Sequence, residues 1–471
     1  MWKYCLYLLA LCPHILFGQP LTLDTTFVPT FDFMTPPTPP EGYVLLEDGQ
    51  GRIYLGGRLG LNGTAKGIIR MYPDGTWDQS FKVSGQWGID GVSDLLMIGD
   101  TLLVHDDFLF PLSTSGAYLG NLFPKDKVCS VYSPMELDDG RILIGGTGCK
   151  FDSIPVPYNR LRLMRLHRDG TLDSSFVHDV NHAVMSLMRY DDTRILVYGR
   201  YITLYDSIPV NQLFRIDTAG VLDTTFHSIF TSNGHPTYVQ PDGKIMIGGG
   251  FRISGHPDPL SLVRLMPDGS LDPSFHNFAG ADSSWGASGV VYPLDDGGYL
   301  VGGFFDSWQG YPRGNIVKID SSGVIDPNYF NGTGADSTSK FYPVISDIIQ
   351  GQSGDFYVTG LFNRYDGRIV DPVIRLRGFQ SVSNDPLLPS ISATLYPNPA
   401  QDRAILTVSE LPLRSVCTLV IHDAVGRECH RQALSGTRAE IDLEGWESGV
   451  YLATLETEAG ALWHGKLVVG R

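Results

Sequence analysis

The sequence predicts an all-β fold, a seven-bladed β-propeller followed by a small Ig-like β-sandwich, and three observations predict it. A fourteen-residue phrase recurs as "IIRMYPDGTWDQSF" at 68–81, "LMRLHRDGTLDSSF" at 163–176, "LFRIDTAGVLDTTF" at 213–226 and "LVRLMPDGSLDPSF" at 262–275. A second phrase, clearest as "PDGKIMIGGGF" at 241–251, recurs in step with it as "DGQGRIYLGG", "LDDGRILIGG" and "LDDGGYLVGGFF". Composition agrees: 54 Gly and 30 Pro among 471 residues, with 11% aromatic and only 18% charged, suit short strands joined by turns.

The N-terminal "MWKYCLYLLALCPHILFGQP" has Lys3, an apolar run from Tyr4 to Leu11 and small Gly18. It reads as a secretory signal peptide over 1–18. The apolar run is broken by Pro13 and His14 and is too short to span a bilayer. Leu11 stands where a lipoprotein signal wants a small residue, so Cys12 is not read as a lipid anchor. No later segment has the length and hydropathy of a membrane span, so an integral membrane protein is not expected.

Counting from the aromatic that closes each phrase (Phe27, Phe81, Phe123, Phe176, Phe226, Phe275, Phe330 and Phe379) gives intervals of 54, 42, 53, 50, 49, 55 and 49 residues, hence seven units over 19–379. Phe123 ends a degenerate copy, "LFPLSTSGAYLGNLF", that keeps Gly116 and loses both aspartates. Each full unit reads as four antiparallel strands. In the unit ending at Phe275 they are expected at about 235–240, 244–250, 262–266 and 271–275, with Asp-Gly turns closing the first and last pairs. Four strands repeating about every fifty residues is the pattern of a propeller. The last unit stops after "VIRLRGF", and "LTLDTTF" at 21–27 supplies the piece it lacks, so the N-terminal strand is expected to complete the last blade and remove two exposed edges.

Each closing Phe is expected to fill the space between blades. Asp78, Asp173, Asp223, Asp272 and Asp326 are expected to accept turn hydrogen bonds. Arg70, Arg165, Arg215, Arg264, Lys318 and Arg375 recur in step as their partners. Residues repeated in most units read as scaffold. These phrases resemble the delta-60 repeat family, "DGxILVGGxF…RLxxDGxLDxxF", over roughly 19–379. That resemblance implies a propeller and no particular activity.

"QSVSNDPLLPS" at 380–390 reads as a linker. Alternating apolar residues between Gly and Pro turns predict a sandwich over 391–471. Its "YPNPA", "VIHDAVGRE", "SGVYLATL" and terminal "KLVV" resemble the type A C-terminal sorting domain of the type IX secretion system in Bacteroidetes. The resemblance implies engagement of that machinery through 391–471, passage through the periplasm, and a product secreted or attached to the outer cell surface. An accessory sugar-binding sandwich is the alternative.

The net charge of −16 opposes nucleic-acid binding. No G-x-S-x-G elbow, P-loop or G-x-G-x-x-G loop is present, and no cofactor is expected. His178 and His182 in "HDVNH" lack the spacing and the glutamate of a zinc pair on a helix. Asp138-Asp139, Asp191-Asp192 and Asp295-Asp296 read as turn residues, and Asn62 and Asn331 as loop asparagines, so no metal site is expected. Cys129 and Cys149 stand equidistant from Asp139 and would face each other across one hairpin. Either a disulfide or two buried thiols fits.

The binding signal lies where the repeat breaks. Trp87 in "WGIDGV" and Trp285 in "WGASGV" precede the first strand of two units. Trp308 and Tyr311 lie in the long loop "FFDSWQGYPRGN" (304–315). These connections are expected on the face opposite the Asp-Gly turns, where aromatics stack on sugars or grip a partner protein. Rings that close the propeller mouth are the competing reading. The sequence therefore favours a binding or structural module for a glycan or protein ligand. An extracellular hydrolase or lyase with its site on the same face is the alternative, and an enzyme is the less favoured of the two.

Overall fold

The computed structural model describes residues 21–377 and 393–470, apart from 30–39, 62–63, 84–90, 107, 121–129, 150–160, 230–233, 252–259, 277–286, 331, 338–341, 399, 409–416, 424–426, 435 and 458–459. Regular structure among these residues is entirely strand. The chain divides into two compact units, Met1–Phe379 and Gln380–Arg471.

Among the described residues of the first unit, seven antiparallel sheets of three or four strands follow one another, in sequence order apart from Thr22–Leu23, beside a small three-stranded sheet of Ala335–Asp336, Arg364–Tyr365 and Arg368–Ile369 and two two-stranded hairpins. Sheet 1 is Glu41–Glu47, Ile53–Leu61 and Thr64–Met71; sheet 2 is Asp94–Ile98, Thr101–Asp106 and Phe108–Ser113. Sheet 3 adds a fourth strand: Val131–Glu136, Ile142–Cys149, Leu161–Leu166 and Leu172–Val177. Sheet 4 is Ser186–Arg189, Arg194–Tyr198 and Leu213–Asp217. Sheet 5 is His235–Val239, Ile245–Phe251 and Leu260–Leu265, matching the first three expected strands within two residues. Sheet 6 is Ala287–Pro293, Tyr299–Phe304 and Ile316–Ile319. Sheet 7 is Val344–Gln350, Phe356–Leu361 and Val373–Arg377, and Thr22–Leu23 pairs with its outer strand as Thr22↔Arg377 and Leu23↔Leu376. First strands of successive sheets lie side by side, and sheet 7 lies against the first strand of sheet 1.

The fourth strand is where most sheets depart from expectation. In sheets 1, 2, 4, 5 and 6 it shrinks to one antiparallel bridge, such as Leu265↔Leu271. An aspartate turn follows the bridge in sheets 1, 4 and 5, although sheet 2 shortens without one and sheet 3 keeps its fourth strand with Asp173 making the same bonds. Asp272 Oδ1 accepts the Ser274 amide and hydroxyl at 2.8 and 2.7 Å, and the Phe275 amide donates to the Asp272 carbonyl at 3.3 Å. In sheet 5 the chain turns out of the sheet just past the bridge.

That turn aims each closing aromatic at the next sheet. Phe81 packs with Leu95 and Leu102 of sheet 2, Phe226 with Ile245 and Ile247 of sheet 5, and Phe27 with Ile53 and Leu55 of sheet 1. Phe27, Phe81, Phe176, Phe226, Phe275 and Phe330 are all buried, each worth about 1.5–3 kcal/mol. Phe123 and Phe379 lie outside the described residues. The turn glycine has to be glycine: Gly323 has φ +88°, and a Cβ there would come within 2.8 Å of the Phe275 ring.

The basic residues complete the junction. Arg70, Arg165, Arg215 and Arg264 donate Nε–H to Asp78, Asp173, Asp223 and Asp272 at 2.8 Å, and Arg375 does so to Asp24 at 2.9 Å. Each guanidinium sits 4.6–5.2 Å from the centre of its closing Phe ring. Each also donates to a carbonyl in the outer turn of the following sheet: Thr114, Thr218, Pro267, Ser321 and Pro73. Sheet 6 differs. Lys318 pairs with Asp296 rather than with Asp326, because an ammonium has no fork to span both groups.

The paired glycines of the second phrase serve close approach. A Cβ on Gly145 would meet Val184 at 2.5 Å, and one on Gly146 would meet the Ser130 carbonyl at 2.1 Å. Opposite the second glycine the first strand bulges, between Gly42 and Val44, Val131 and Ser133, Pro236 and Tyr238, Ser288 and Val290, and Ile345 and Asp347.

The second unit is a β-sandwich. Ala393–Tyr396, Arg403–Val408 and Arg438–Asp442 form one sheet; Glu428–Leu434, Cys417–His422, Gly449–Thr457 and Gly460–Val469 form the other. Leu406 and Ile441 of the first share a core with Leu419, Ile421, Leu455 and Leu467 of the second.

The Asp272 carboxyl is buried, which alone would raise its pKa, but bonds from Ser274, Arg264 and Lys244 hold it well below the usual range. Removing that charge strands a buried guanidinium, so Asp272→Asn is expected to cost about 3–5 kcal/mol in urea unfolding near neutral pH. The native carboxyl titrates below the unfolded one. Its contribution is full above about pH 4 and is lost as pH falls toward the native pKa. The deficit of the variant should therefore shrink on acidification.

Candidate functional site

Three connections between second and third strands fold into two-residue hairpins: Leu204–Tyr205 with Ile208–Pro209, Ser307–Trp308 with Tyr311–Pro312, and Arg364–Tyr365 with Arg368–Ile369. Their turns carry positive φ at both central positions, namely Asp206–Ser207, Gln309–Gly310 and Asp366–Gly367. Glutamine is unusual there. Its side chain explains it, since Gln309 Nε2 donates to the Gly323 carbonyl at 2.7 Å and Oε1 accepts the Ile325 amide at 2.9 Å.

That geometry corrects the expected role of the long loop. Its tip folds back to the outer turn of its own sheet rather than standing free on the opposite face. Trp308 is only 1% exposed, packed on Phe305 with ring centroids 5.0 Å apart and among Phe275 and Val317. An indole buried this way cannot stack on a ligand, so Trp308 is core. Tyr311 is 43% exposed with the Arg313 guanidinium 5.8 Å from its ring centre. Trp87 and Trp285 lie outside the described residues.

Cys129 also lies outside them. The symmetric register expected for its hairpin holds from Pro134↔Ile144 to Glu136↔Ile142, and the bulge before Ser133 then shifts the pairing to Val131↔Gly146. Cys417 is a buried free thiol and Cys429 an exposed one. His178 bonds Asp206 at 2.7 Å and stacks on Tyr205, while Asp139, Asp191 and Asp296 accept amides of their own turns. No group of metal-holding side chains occurs among the described residues.

Two places have the geometry of a site. The first is a cleft of about 870 Å³ lined by the connection 304–315 of sheet 6 and by residues 332–336 and 342–343 of the segment that leads into sheet 7. Phe304 and Tyr342 form an aromatic corner in it, ring centroids 5.3 Å apart and planes at 59°. Its floor is built tightly. Asn315 has φ +68°, accepts the Phe305 amide at 2.9 Å and donates to the Ala335 carbonyl at 3.0 Å. A Cβ on Gly314 would lie 2.0 Å from the Thr333 carbonyl, and Asp366 accepts the Gly334 amide at 2.8 Å. Asp306 and Asp336 are exposed on its rim, whereas Arg313 is buried with its terminal nitrogens on the Pro312 and Pro327 carbonyls.

The second is a pair of carboxyls on the converging first strands. Burial raises Asp347 to about 6 against the amides of Leu45 and Ile348 that bond it at 2.8 Å. Burial likewise raises Asp94 to about 7, opposed by the Leu95 amide and helped by the charge of Asp347. Both keep some contact with solvent. The sequence carried a signal for them, "SDLL" at 93–96 and "SDII" at 346–349, which the repeat phrases overshadow. Nothing comparable flags Tyr342, whose role depends on what sheet 6 places beside it.

Comparison with known proteins agrees with this architecture. Residues 137–176, 240–275 and 294–329 match the family described as a domain of unknown function (DUF5122) beta-propeller, and residues 394–470 match a secretion system C-terminal sorting domain. The first unit therefore carries β-propeller repeats, and the tail points to secretion or attachment at the outer surface. No curated protein matches the chain. Among solved structures the chain is similar to PorZ, a surface component of the type IX secretion system of Porphyromonas gingivalis, at 12% identity and TM-score 0.40, covering 91% of this chain and 59% of that one. It is also similar to the extracellular domain of BT4673 from B. thetaiotaomicron, at 11% identity and TM-score 0.43, covering 97% and 60%. The chain thus spans about three fifths of either structure's length. Among the described residues no helix is long and apolar enough to cross a membrane.

Two outcomes follow. Trp308→Ala is expected to cost about 3–5 kcal/mol and Tyr311→Ala under about 0.5, read from paired unfolding curves. Asp94 takes up its proton more readily folded than unfolded, so its stabilising contribution is present below about pH 4 and lost as pH rises through about 7. Asp94→Asn should raise the urea midpoint at pH 8 relative to the parent by more than it does at pH 5.

Proposed function

We propose that this chain, β-propeller repeats ahead of a secretion-system sorting domain, is a seven-bladed propeller that works outside the cell as a binding module. The match of residues 394–470 to a sorting domain carries the reading of location. In this reading 1–18 is removed on entry to the periplasm, 19–379 forms the ring, 380–390 links it to the tail, and 391–471 engages the type IX machinery. The pairing of Thr22–Leu23 with Val373–Arg377, and the contact of sheet 7 with sheet 1, support a ring completed by its own first strand. Binding is assigned to the irregular connections, with Trp87, Trp285 and Tyr311 as contacts on glycan or protein and Trp308 withdrawn.

A second reading rests on Asp94 and Asp347. Carboxyls raised toward neutrality and near enough to interact are what a hydrolase or lyase needs for acid and base. Against it, both spend oxygens on strand amides, which is a sufficient structural reason for them to be there.

Export is tested by fractionating a Bacteroidetes host with a working type IX system that carries the full chain or a form lacking 394–470. The full chain should reach the surface or the medium and the truncated form should stay in the periplasm. Equal release of both, or release of the full chain from a host lacking the system, would sink the reading.

A further inference from the structure

The geometry points to a neutral saccharide as the guest of the cleft between the connection 304–315 and the segment that leads into sheet 7, held with its apolar face on Tyr342 and its hydroxyls on Asp306 and Asp336. This inference rests on the reading of the chain as an extracellular binding module and names the ligand chemistry of one site on it.

Three features of the cleft select that chemistry. Its volume, about 870 Å³, lies within the range of small-ligand sites, roughly 300–1,000 Å³. Tyr342 is 72% exposed, and with Phe304 at 59° it offers an aromatic corner rather than a slot. What sets Tyr342 apart from other exposed rings such as Tyr396 is its place in a cleft beside Phe304, and the C–H face of a pyranose is a flat apolar surface that fits such a corner. The Asp306 and Asp336 carboxylates on the rim only accept, and the exposed Thr333 hydroxyl donates or accepts, so a guest rich in hydroxyl donors suits them. A polyol supplies donors along the edge of an apolar face and brings no charge.

Charge disfavours the rivals. An acidic saccharide would meet Asp306 and Asp336 on a chain of net charge −16. Among the described residues the guanidinium lining the cleft is Arg313, which is buried and spends its terminal nitrogens on backbone carbonyls; Arg364, opposite Asp336 in the paired strand, does not line it. A basic peptide would satisfy the carboxylates, but a solvent-exposed ion pair at a rim adds little. The wall that supplies most of the contact is apolar. The floor, pinned by Asn315 and the close contact of Gly314 with Thr333, is already in place before binding, which lowers the ordering cost for a weakly held guest.

The test is calorimetry on the purified full chain with cellohexaose, maltohexaose, xylohexaose and mannohexaose as neutral probes. Trigalacturonate serves as the acidic probe and a Lys-Tyr-Lys peptide as the basic one. At least one neutral hexasaccharide is expected to bind, with an affinity that changes little between about 50 and about 500 mM salt. Tyr342→Ala should weaken it roughly tenfold and Asp336→Asn by less, while Tyr396→Ala, exposed in the second unit, leaves it unchanged. An unaltered unfolding midpoint for Tyr342→Ala shows that the fold survives the change. Neutral binding that ignores Tyr342, binding of no neutral probe, or a preference for the peptide that collapses in salt would each overturn the inference. Fractionation of the Tyr342→Ala chain separates this failure from that of the extracellular reading, since location depends on the tail and not on this ring.

Discussion

The structure of the first unit depends on one guanidinium shared between two sheets. Arg165 donates Nε–H to Asp173 in its own sheet and another N–H to the Thr218 carbonyl of the next, with its plane over the Phe176 ring. The carboxylate that holds the arginine also turns the chain, and the turn places the phenylalanine in the next core. Four requirements thus meet in one cluster: a paired buried charge, a satisfied carbonyl, a chain reversal and an apolar plug. Removing any one leaves the others with an unmet cost, because a buried charge without its partner is far worse than no charge at all. This explains why "R…DG.LD..F" recurs as a block and not as separate preferences.

Two junctions show how much of the cluster is dispensable. Sheet 2 has Pro111 where the others have a basic residue, facing Leu103. Its junction with sheet 3 is apolar, built from Ile98, Leu103 and Leu109 against Val131, Ile142 and Ile144. Sheet 6 keeps a charge as Lys318, but the ammonium turns to Asp296 and sits 4.4 Å from the Tyr329 ring centre. Hydrophobic burial can therefore hold a junction alone. What the arginine adds is a fixed register between neighbouring sheets, since its fork fits one carboxylate and one carbonyl at a time.

The same logic decides what could be read from the residues. Turns, strand order and the buried aromatic were legible because each copy of the phrase carries its own reasons: Gly for positive φ, Asp for the turn, Phe for the core. The paired glycines were visible as a pattern but not as a cause. Gly145 and Gly146 make sense only beside Val184 and the Ser130 carbonyl just ahead of the bulge, which lie elsewhere in the chain. The shortened fourth strand was hidden because the same residues that read as a strand form a turn in most copies and a strand at Leu172–Val177. Trp308 misled because an aromatic in an irregular loop reads as exposed, and only the Gln309 contacts with Gly323 and Ile325 reveal that the loop is folded down over it. Tyr342 carried no signal, because its site is made by neighbours from another sheet.

Repetition and function pull in opposite directions in such a molecule. A side chain repeated at every junction is committed to holding that junction, and substituting it disturbs two sheets at once. The connections between sheets carry no such duty, so chemistry accumulates where copies differ. The cleft beside Phe304 arises because sheet 6 has a long folded-back connection next to the distinct segment that leads into sheet 7. Asp94 and Asp347 illustrate the boundary between the two regimes. They occupy regular first strands and satisfy amides there, yet burial, helped at Asp94 by the charge of Asp347, raises both carboxyls toward neutrality. Asp347 spends both oxygens on strand amides, so the scaffold accounts for it, and the irregular cleft is the stronger claimant because it joins an exposed aromatic corner to a preformed floor.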